Sequence, residues 1–217
     1  MGDAFEVMLD AMPELLNGVK MTIYLTVVSL ALATVLGLIS GLMNISKSKW
    51  LRVPARLYVN IVRGTPLLVQ ILFIYFGLPS VSAIKLSPVT AGIIAIGFHI
   101  GAYVSEVFRA GIESIDKGQI EAGRSLGLTA GQTMRKIVIP QAITRMMPPM
   151  MNQFIIGVKD TSLLAVIGVA ELTERGQTIY ALNYRAFEIL ALVGVLYLIL
   201  TYSLYRLSLL VEKRFVK

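Results

Sequence analysis

The sequence predicts an all-α membrane protein that crosses the bilayer five times, and three observations carry this prediction. Apolar residues make up 56% of the 217 positions and charged residues only 15%, whereas a soluble domain has roughly 45–50% and about 25%. Long stretches carry no charge at all. The basic residues gather in alternate connecting segments. This combination is typical of a chain whose outer surface meets lipid.

Stretches without Lys, Arg, Asp or Glu locate the spans, because a helix needs about 20 mostly apolar residues to cross the hydrocarbon core. Four such stretches are long enough or nearly so: residues 21–46, 64–84, 86–105 and 189–205. A fifth stretch, between Arg145 and Glu171, contains only the adjacent charges Lys159 and Asp160. We therefore expect four uninterrupted spans and one that is interrupted near its middle.

The distribution of Lys and Arg indicates the orientation of the chain. If the N-terminus lies outside, 14 of the 20 basic residues fall in cytoplasmic segments, namely 44–56, 109–145 and 206–217. Basic loops stay on the cytoplasmic side of a membrane protein. The sequence thus predicts one transmembrane domain, residues 1–217, in the cell (inner) membrane, with the N-terminus outside and the C-terminus inside. Orientation also explains the net charge of +7, so no nucleic-acid partner is expected.

The first span, about residues 19–43, has a face of small residues. Ala33, Gly37 and Gly41 recur at intervals of four, which lets another helix backbone approach closely. We expect this face to pack within one subunit rather than to form a dimer. In the lead-in, residues 1–18, apolar positions recur with helical spacing, which favours an amphipathic helix at the membrane interface.

The second span is expected to bend at its start, because Gly64 loosens the turn and Pro66 removes a backbone donor. In the third span, about residues 87–108, His99, Tyr103 and Glu106 are spaced i, i+4, i+7 and share one face. A polar stripe on a membrane helix faces protein or water. Glu106 could also simply pair with Arg109.

The segment 110–142 is the longest loop, mixed in polarity and predicted to be cytoplasmic. Loops of this length are usually functional. The fourth span, about residues 146–169, begins with Pro148 and Pro149, which suit a helix start. An exposed outer segment, residues 171–188, precedes the last span and the basic tail.

Nothing in the residue inventory supports catalysis. The chain has no cysteine and one histidine, which excludes disulfides, thiolate chemistry and histidine metal clusters. The stretch 41–48 ends in Lys-Ser but lacks the glycine that a phosphate-binding loop places before them. We expect no enzyme activity, no metal and no cofactor in this chain.

One motif in the loop is specific. Glu121, Ala122 and Gly123 are followed after three residues by Gly127 and after nine more by Ile137-Val138-Ile139-Pro140. This resembles the EAA motif (EAA-x3-G-x9-I-x-L-P) of binding-protein-dependent ATP-binding-cassette importer permeases. Spacing agrees throughout. Gly123 and Ile139 depart mildly from the pattern.

The resemblance extends over most of the chain and narrows the family. Residues 63–67 with Gln70, residues 101–103 with Glu106 and Arg109, and residues 159–163 are similar to the permeases for histidine, arginine, glutamine and glutamate. The resemblance implies ATP-driven uptake of a polar amino acid, with basic amino acids among the candidates, by alternating access. It also implies two copies of a separate ATPase that binds ATP and Mg, a second permease subunit in a homodimer or heterodimer, and usually an external solute-binding protein.

Residues 119–126 can form two helical turns that Gly127 is well suited to end. In such a helix Ala122, Gly123 and Leu126 share a face that could seat in a groove of a partner. The resemblance implies that the docking element for the ATPase comprises Glu121, Ala122, Gly123, Leu126, Gly127 and Pro140.

The expected substrate site follows from what a zwitterion needs at bilayer depth. Asp160 is the strongest candidate, because an intramembrane carboxylate is costly and marks a functional site by default; it would pair with an ammonium or a cationic side chain. Arg63 and Thr65 would hold the carboxylate. The full expected set is Asp160, Thr161, Ser162, Arg63, Thr65, Gln70, Tyr103 and Glu106.

Two alternatives compete with an ATP-driven permease. An ion-coupled secondary transporter or channel could use the same polar residues, but it has no reason to carry the EAA loop. A membrane-embedded enzyme would need paired catalytic groups. Arginine, histidine, lysine and glutamine all stay open as substrates.

Overall fold

The computed structural model describes residues 2–215, which form helices and connecting turns without a strand. Met1 and residues 216–217, at the ends of the predicted lead-in and basic tail, lie outside the described residues. The α-helices are α1 (Gly2–Asn44), α2 (Lys49–Arg63), α3 (Leu67–Val81), α4 (Pro88–Glu113), α5 (Lys117–Ser125), α6 (Ala130–Thr133), α7 (Ile139–Asp160), α8 (Leu172–Asn183) and α9 (Ala186–Phe215). A π-helical turn lies within α3 (Phe73–Gly77), and another joins α6 to α7 (Met134–Val138). The 3-10 segment (Thr161–Ile167) continues α7.

Helix length and composition agree with the predicted number of spans. Four helical stretches are long and apolar enough to cross a membrane: Ala4–Asn44, Pro88–Glu113, Ala130–Ile167 and Ala186–Lys213. The pair α2 and α3, which meet at a bend of 107°, is apolar enough in combination to count as a fifth, broken span if the two helices cross as one unit. The bend falls at residues 64–66, as the glycine and proline there predict, because Gly64 ends α2 and Pro66 precedes α3.

The main core forms where α1 packs along α4. Ala33 is fully buried, and a Cβ atom added to Gly37 would lie 2.4 Å from Cγ1 of Val104. A Cβ atom on Gly41 would lie 2.8 Å from Cβ of Phe108. The small-residue face of α1 therefore packs within the subunit, as predicted.

The lead-in is continuous with the first span. A helix of 43 residues is about 64 Å long at 1.5 Å per residue, about twice the hydrocarbon thickness. Its first turns therefore extend beyond the bilayer, where Ala11 and Leu15 are buried against Leu172 and Ile189. The sequence predicts that residues 1–18 lie at the membrane interface. In the structure, the described part of this lead-in is instead continuous with the first span in α1 and packs on other parts of the protein.

The tandem prolines do not begin the fourth span, which corrects the prediction. Helix α7 begins at Ile139, with Pro140 in its first turn, and continues through Pro148 and Pro149. Proline is tolerated in the first turn because the donor it lacks has no intrahelical partner there. Inside a membrane helix, neighbouring groups can compensate for the lost hydrogen bond. The helix then changes to the 3-10 segment after Asp160, where the adjacent charges predict an interruption.

A fully buried carboxylate, that of Glu171 just before α8, joins α8 to α9. Glu171 caps α8 by accepting the backbone N–H of Glu174 at 2.8 Å, and it also accepts the hydroxyl of Tyr197 at 2.6 Å. The backbone N–H of Leu172 donates to Oγ1 of Thr22 in α1 at 3.2 Å. Burial raises the pKa of Glu171 above its usual range, although the hydrogen bonds that its carboxylate accepts act in the opposite direction.

The contact between α1 and α4 leads to a first prediction. Gly37→Ala would force a methyl group into Val104 and toward the carbonyl oxygen of Gly101, which should lower the free energy of unfolding by about 1–3 kcal/mol. Gly194→Ala is the matched control, because no atom lies within 4 Å of its added Cβ. Thermal unfolding of the two variants in detergent measures the difference. Equal midpoints would contradict the close packing.

The burial of Glu171 leads to a second prediction. Because its pKa is higher in the folded than in the unfolded chain, the folded state retains this proton as the pH rises past the unfolded pKa. Its contribution to stability is therefore complete at low pH and decreases as the pH rises through the folded pKa. Glu171→Gln removes that titration, so the wild type should lose more thermal stability than the variant as the pH rises above the usual range of a glutamate. Parallel unfolding midpoints over this rise in pH would refute the assignment.

Candidate functional site

A cavity of about 470 Å³ lies between α2, α4 and α7, and it brings three of the predicted site residues together. Its volume is in the range of small-molecule sites, roughly 300–1,000 Å³. Its lining is Arg63, Tyr103, Glu106, Val107, Ala110, Gly111, Ser114, Arg145, Pro149 and Gln153. A neighbouring cavity of about 320 Å³ shares Arg63 and Glu106 with it. Within residues 2–215, no cluster of three or more His, Asp or Glu side chains could hold a metal ion.

Arg63 and Glu106 form the charged centre of the cavity. A guanidinium nitrogen of Arg63 lies 3.8 Å from Oε2 of Glu106, and the guanidinium carbon lies 5.3 Å from the ring centre of Tyr103. Arg109 binds Glu106 more closely, through Nε at 3.1 Å, and also pairs with Glu113. The predicted pairing of Glu106 with Arg109 is present. Arg63, whose side chain is 42% exposed, is the cation that can exchange its partner for an incoming anion.

Two polar stripes extend from this centre. On α4, His99, Tyr103 and Glu106 share a face as predicted, and the rings of His99 and Tyr103 lie 5.2 Å apart. On α7, Gln153 and Asp160 are seven residues apart and so lie on one face, about 10 Å apart along the axis. Gln153 lines the cavity, which makes it a site residue that the sequence analysis missed. The spacing of seven residues between Gln153 and Asp160 is the sequence signal that could have identified it.

Asp160 is half-buried at the end of α7 and does not line the cavity of Arg63. The two hydroxyl groups that follow are used within the protein: Thr161 donates to the carbonyl of Val158 at 2.8 Å and Ser162 to that of Lys159 at 2.7 Å. Thr161 is fully buried. In this conformation, therefore, Asp160 and Ser162 have accessible surface, while Thr161 has none.

Thr65 and Gln70 stabilise the bend between α2 and α3. The side-chain amide of Gln70 donates to the carbonyl oxygens of Val62 at 2.8 Å and Thr65 at 3.1 Å, and its oxygen lies 3.0 Å from Nδ1 of His99. The hydroxyl of Thr65 donates to the carbonyl of Ile61 at 2.9 Å. These groups satisfy backbone oxygens that the bend leaves without helical partners.

The motif segment forms the predicted helix, α5, and Gly127 ends it with a φ of +83°. The expected common face is divided, however. Gly123 is buried, and a Cβ atom there would lie 2.6 Å from Cδ1 of Ile137. Ala122, Glu121 and Leu126 are exposed, the last to 83%. Gly123 therefore fastens the helix to its own chain, and the exposed residues remain for a partner.

A small apolar cluster connects this loop to the bundle. It consists of Ile115, Val138, Ala142 and Met146, with Ile120 of α5 packed against it. Pro140 lies in the first turn of α7. Helix α5 is thus packed directly on the start of the helix that carries Gln153 and Asp160.

Comparison with known proteins gives a consistent result. Residues 33–217 match the family model described as binding-protein-dependent transport system inner membrane component. The glutamine transport system permease protein GlnP of Escherichia coli (strain K12) is 43% identical over 205 residues, covering 94% of each chain. The arginine transport system permease protein ArtQ of Bacillus subtilis (strain 168) is 33% identical over 210 residues, covering 97% of this chain and 96% of ArtQ.

The fold agrees with solved structures. The structure titled "Crystal structure of an amino acid ABC transporter with histidines" superposes with a TM-score of 0.91 at 38% identity, covering 95% of this chain and 96% of that one. An inward-facing MetNI methionine ABC transporter superposes with a TM-score of 0.79 at 22% identity, covering 95% and 98% of the two chains. The second likeness concerns the fold alone.

Proposed function

The chain belongs to the family of binding-protein-dependent transport system inner membrane components and is a permease subunit of an ATP-binding-cassette importer; we propose that this importer takes up polar amino acids, including basic ones. The observation that carries the proposal is the pair Arg63 and Glu106 in a cavity that Tyr103 and Gln153 also line. According to their names, GlnP and ArtQ belong to transport systems for glutamine and arginine. The family supports an ATP-driven importer over an ion-coupled transporter or channel.

The cavity offers the groups that an amino acid requires. Arg63 can release the distant oxygen of Glu106 and bind the substrate carboxylate in its place, because Arg109 continues to neutralise that glutamate. The ring of Tyr103 orients the guanidinium by a cation–π contact. Gln153 adds an amide that can donate and accept. The neighbouring positive and negative groups match the two charges of a zwitterion.

Asp160 is proposed to receive the cationic side chain of a basic substrate, or the ammonium group once the substrate has left Arg63. The ammonium and carboxylate of one amino acid lie too close together to contact both residues at once, because Asp160 does not line the cavity of Arg63. Ser162 would contribute its hydroxyl oxygen as an acceptor, since its proton is already donated to Lys159. Thr161 would join the site only if the 3-10 segment opened, because it is buried in this conformation. Thr65 and Gln70 would hold the wall of the passage in position rather than bind the substrate.

Helix α5 is proposed to dock on the ATPase through its exposed residues and to transmit the movement through α7. The supporting observation is the direct packing of Gly123 on Ile137 and of Ile120 on the cluster that contains Val138 and Ala142. A displacement of α5 would thus move the start of α7 and, along the same helix, Gln153 and Asp160. The proposed assembly has two permease subunits, identical or different, two ATPase subunits that bind ATP and Mg, and an external solute-binding protein, with the N-terminus of this chain outside.

Reconstitution tests the proposed function. We expect vesicles containing the permease and its ATPase to accumulate radiolabelled arginine, histidine, lysine or glutamine when ATP is supplied on the ATPase side and the binding protein on the other. Uptake that follows an ion gradient without ATP would refute the mechanism. Uptake of none of these amino acids, with a substrate of another class accepted, would refute the substrate class.

Asp160 gives a third prediction. Asp160→Asn keeps the size but removes the charge, so affinity for a substrate with an ammonium group should fall by about tenfold or more, as expected for a lost charged hydrogen bond. Lys159→Gln is the control, because adjacent residues point about 100° apart on a helix. Binding of radiolabelled amino acid and co-purification of the ATPase are measured together. Unchanged affinity in Asp160→Asn would remove this residue from the site.

The packing of α5 gives a fourth prediction. Gly123→Leu should push α5 away from Ile137 and lower the amount of amino acid transported per ATP hydrolysed by about tenfold, which corresponds to 1.4 kcal/mol of lost coupling. Gly131→Leu, in the same loop, has open space around its added Cβ and should leave this ratio unchanged. Equal ratios in the two variants would refute transmission through this contact.

A further inference from the structure

The corner between α1 and α2 is a basic surface with an exposed tryptophan. Lys47, Lys49 and Trp50 are exposed, Trp50 to 90%, and Arg52 follows one half-turn later. Among residues 2–215, no carboxylate lies within ion-pair distance of these three cations, in contrast to Arg63 and Arg109. The sequence contains no acidic residue between Glu14 and Glu106. The corner is therefore complementary to an anionic partner.

An exposed apolar face continues from this corner along α2. Trp50, Val53, Leu57 and Ile61 are spaced i, i+3, i+7, i+11 and are 56–90% exposed. The other side of α2 buries Ala55 and Val59 against the bundle. The end of α1 leads to the same corner with exposed apolar residues, Leu38, Ile39 and Leu42. The surface thus changes from apolar to basic within a few residues, with an indole ring at the boundary.

We propose that the α1–α2 corner is a binding site for the headgroup of an anionic phospholipid. The ammonium groups of Lys47 and Lys49 and the guanidinium of Arg52 bind the phosphate and the headgroup charge. The acyl chains lie along the apolar face of α2, and Trp50 occupies the depth at which indole rings prefer to lie. Basic residues next to a spanning helix attract anionic lipid in this way. With the proposed orientation, the lipid belongs to the cytoplasmic leaflet.

The corner offers a direct probe, because Trp50 is the only tryptophan of the chain. The full chain is reconstituted in phosphatidylcholine–phosphatidylglycerol vesicles in which one or the other lipid carries brominated acyl chains, and tryptophan fluorescence is recorded. At equal mole fraction, we expect brominated phosphatidylglycerol to quench Trp50 about two- to fivefold more than brominated phosphatidylcholine. The excess should fall at high salt, because exposed charges are then screened.

Two double variants separate this site from a general effect of charge. Lys47→Gln/Lys49→Gln should abolish the excess quenching by brominated phosphatidylglycerol. Arg206→Gln/Lys213→Gln removes the same charge from the other end of the chain and should leave the excess unchanged. Loss of the excess in both pairs would overturn a local site.

Other occupants of the corner give different results. Equal quenching by the two lipids would overturn the proposal by showing contact with lipid but no headgroup preference. Quenching by neither would overturn it in favour of a second permease copy covering Trp50. Loss of ATPase co-purification in Lys47→Gln/Lys49→Gln, with no change in quenching, would overturn it in favour of a docking contact. None of these outcomes depends on which amino acid is transported.

Discussion

The hydrocarbon core supplies no hydrogen bonds, so every backbone group at membrane depth must find its partner within the protein. Besides the π-helical turn within α3, this chain changes its helix geometry at the bend after α2 and at the end of α7. At the first, the amide of Gln70 binds two carbonyl oxygens. At the second, the hydroxyls of Thr161 and Ser162 bind two more. Irregular backbone is tolerated here because polar side chains close to it satisfy these groups.

This requirement separates the polar residues of the bundle into two groups with different chemistry. Thr65, Gln70 and Thr161 use hydrogen-bonding groups to brace the backbone, so they are poorly placed to follow a substrate through a transport cycle. The residues that remain are mainly charged: Arg63, Glu106 and Asp160. Charged groups interact strongly with a zwitterion in a medium of low dielectric constant. In the proposed function, the bracing residues therefore form the walls of the passage, and the charged residues are the ones proposed to bind the substrate.

The sequence predicts the architecture well, because each strong signal depends on a local rule. Charge-free stretches give the spans, Gly64 and Pro66 give the bend, and Gly127 gives the end of α5. Pro148 and Pro149 lead to a wrong prediction of the helix start. A proline is also tolerated inside a membrane helix, because neighbouring groups can compensate for its missing donor. The division of the motif helix, with Gly123 inward and Leu126 outward, depends on the tertiary position of Ile137. Contacts between helices likewise decide which hydroxyl groups remain available to a ligand and place Gln153 in the lining of the cavity.

Those contacts between helices also explain why a docking element can act on a site at membrane depth. Helix α7 continues without a break from Pro140, beside the docking loop, to Asp160, a rise of about 30 Å over 20 residues. Helices α2 and α3, on the opposite wall, are separated by a bend that Gln70 and His99 hold together through side chains alone. In the proposed mechanism, a force applied at α5 would move one wall through α7, while the other wall could yield at residues 64–66. Alternating access requires that the two walls move relative to one another, and under the proposed coupling this asymmetry would allow it.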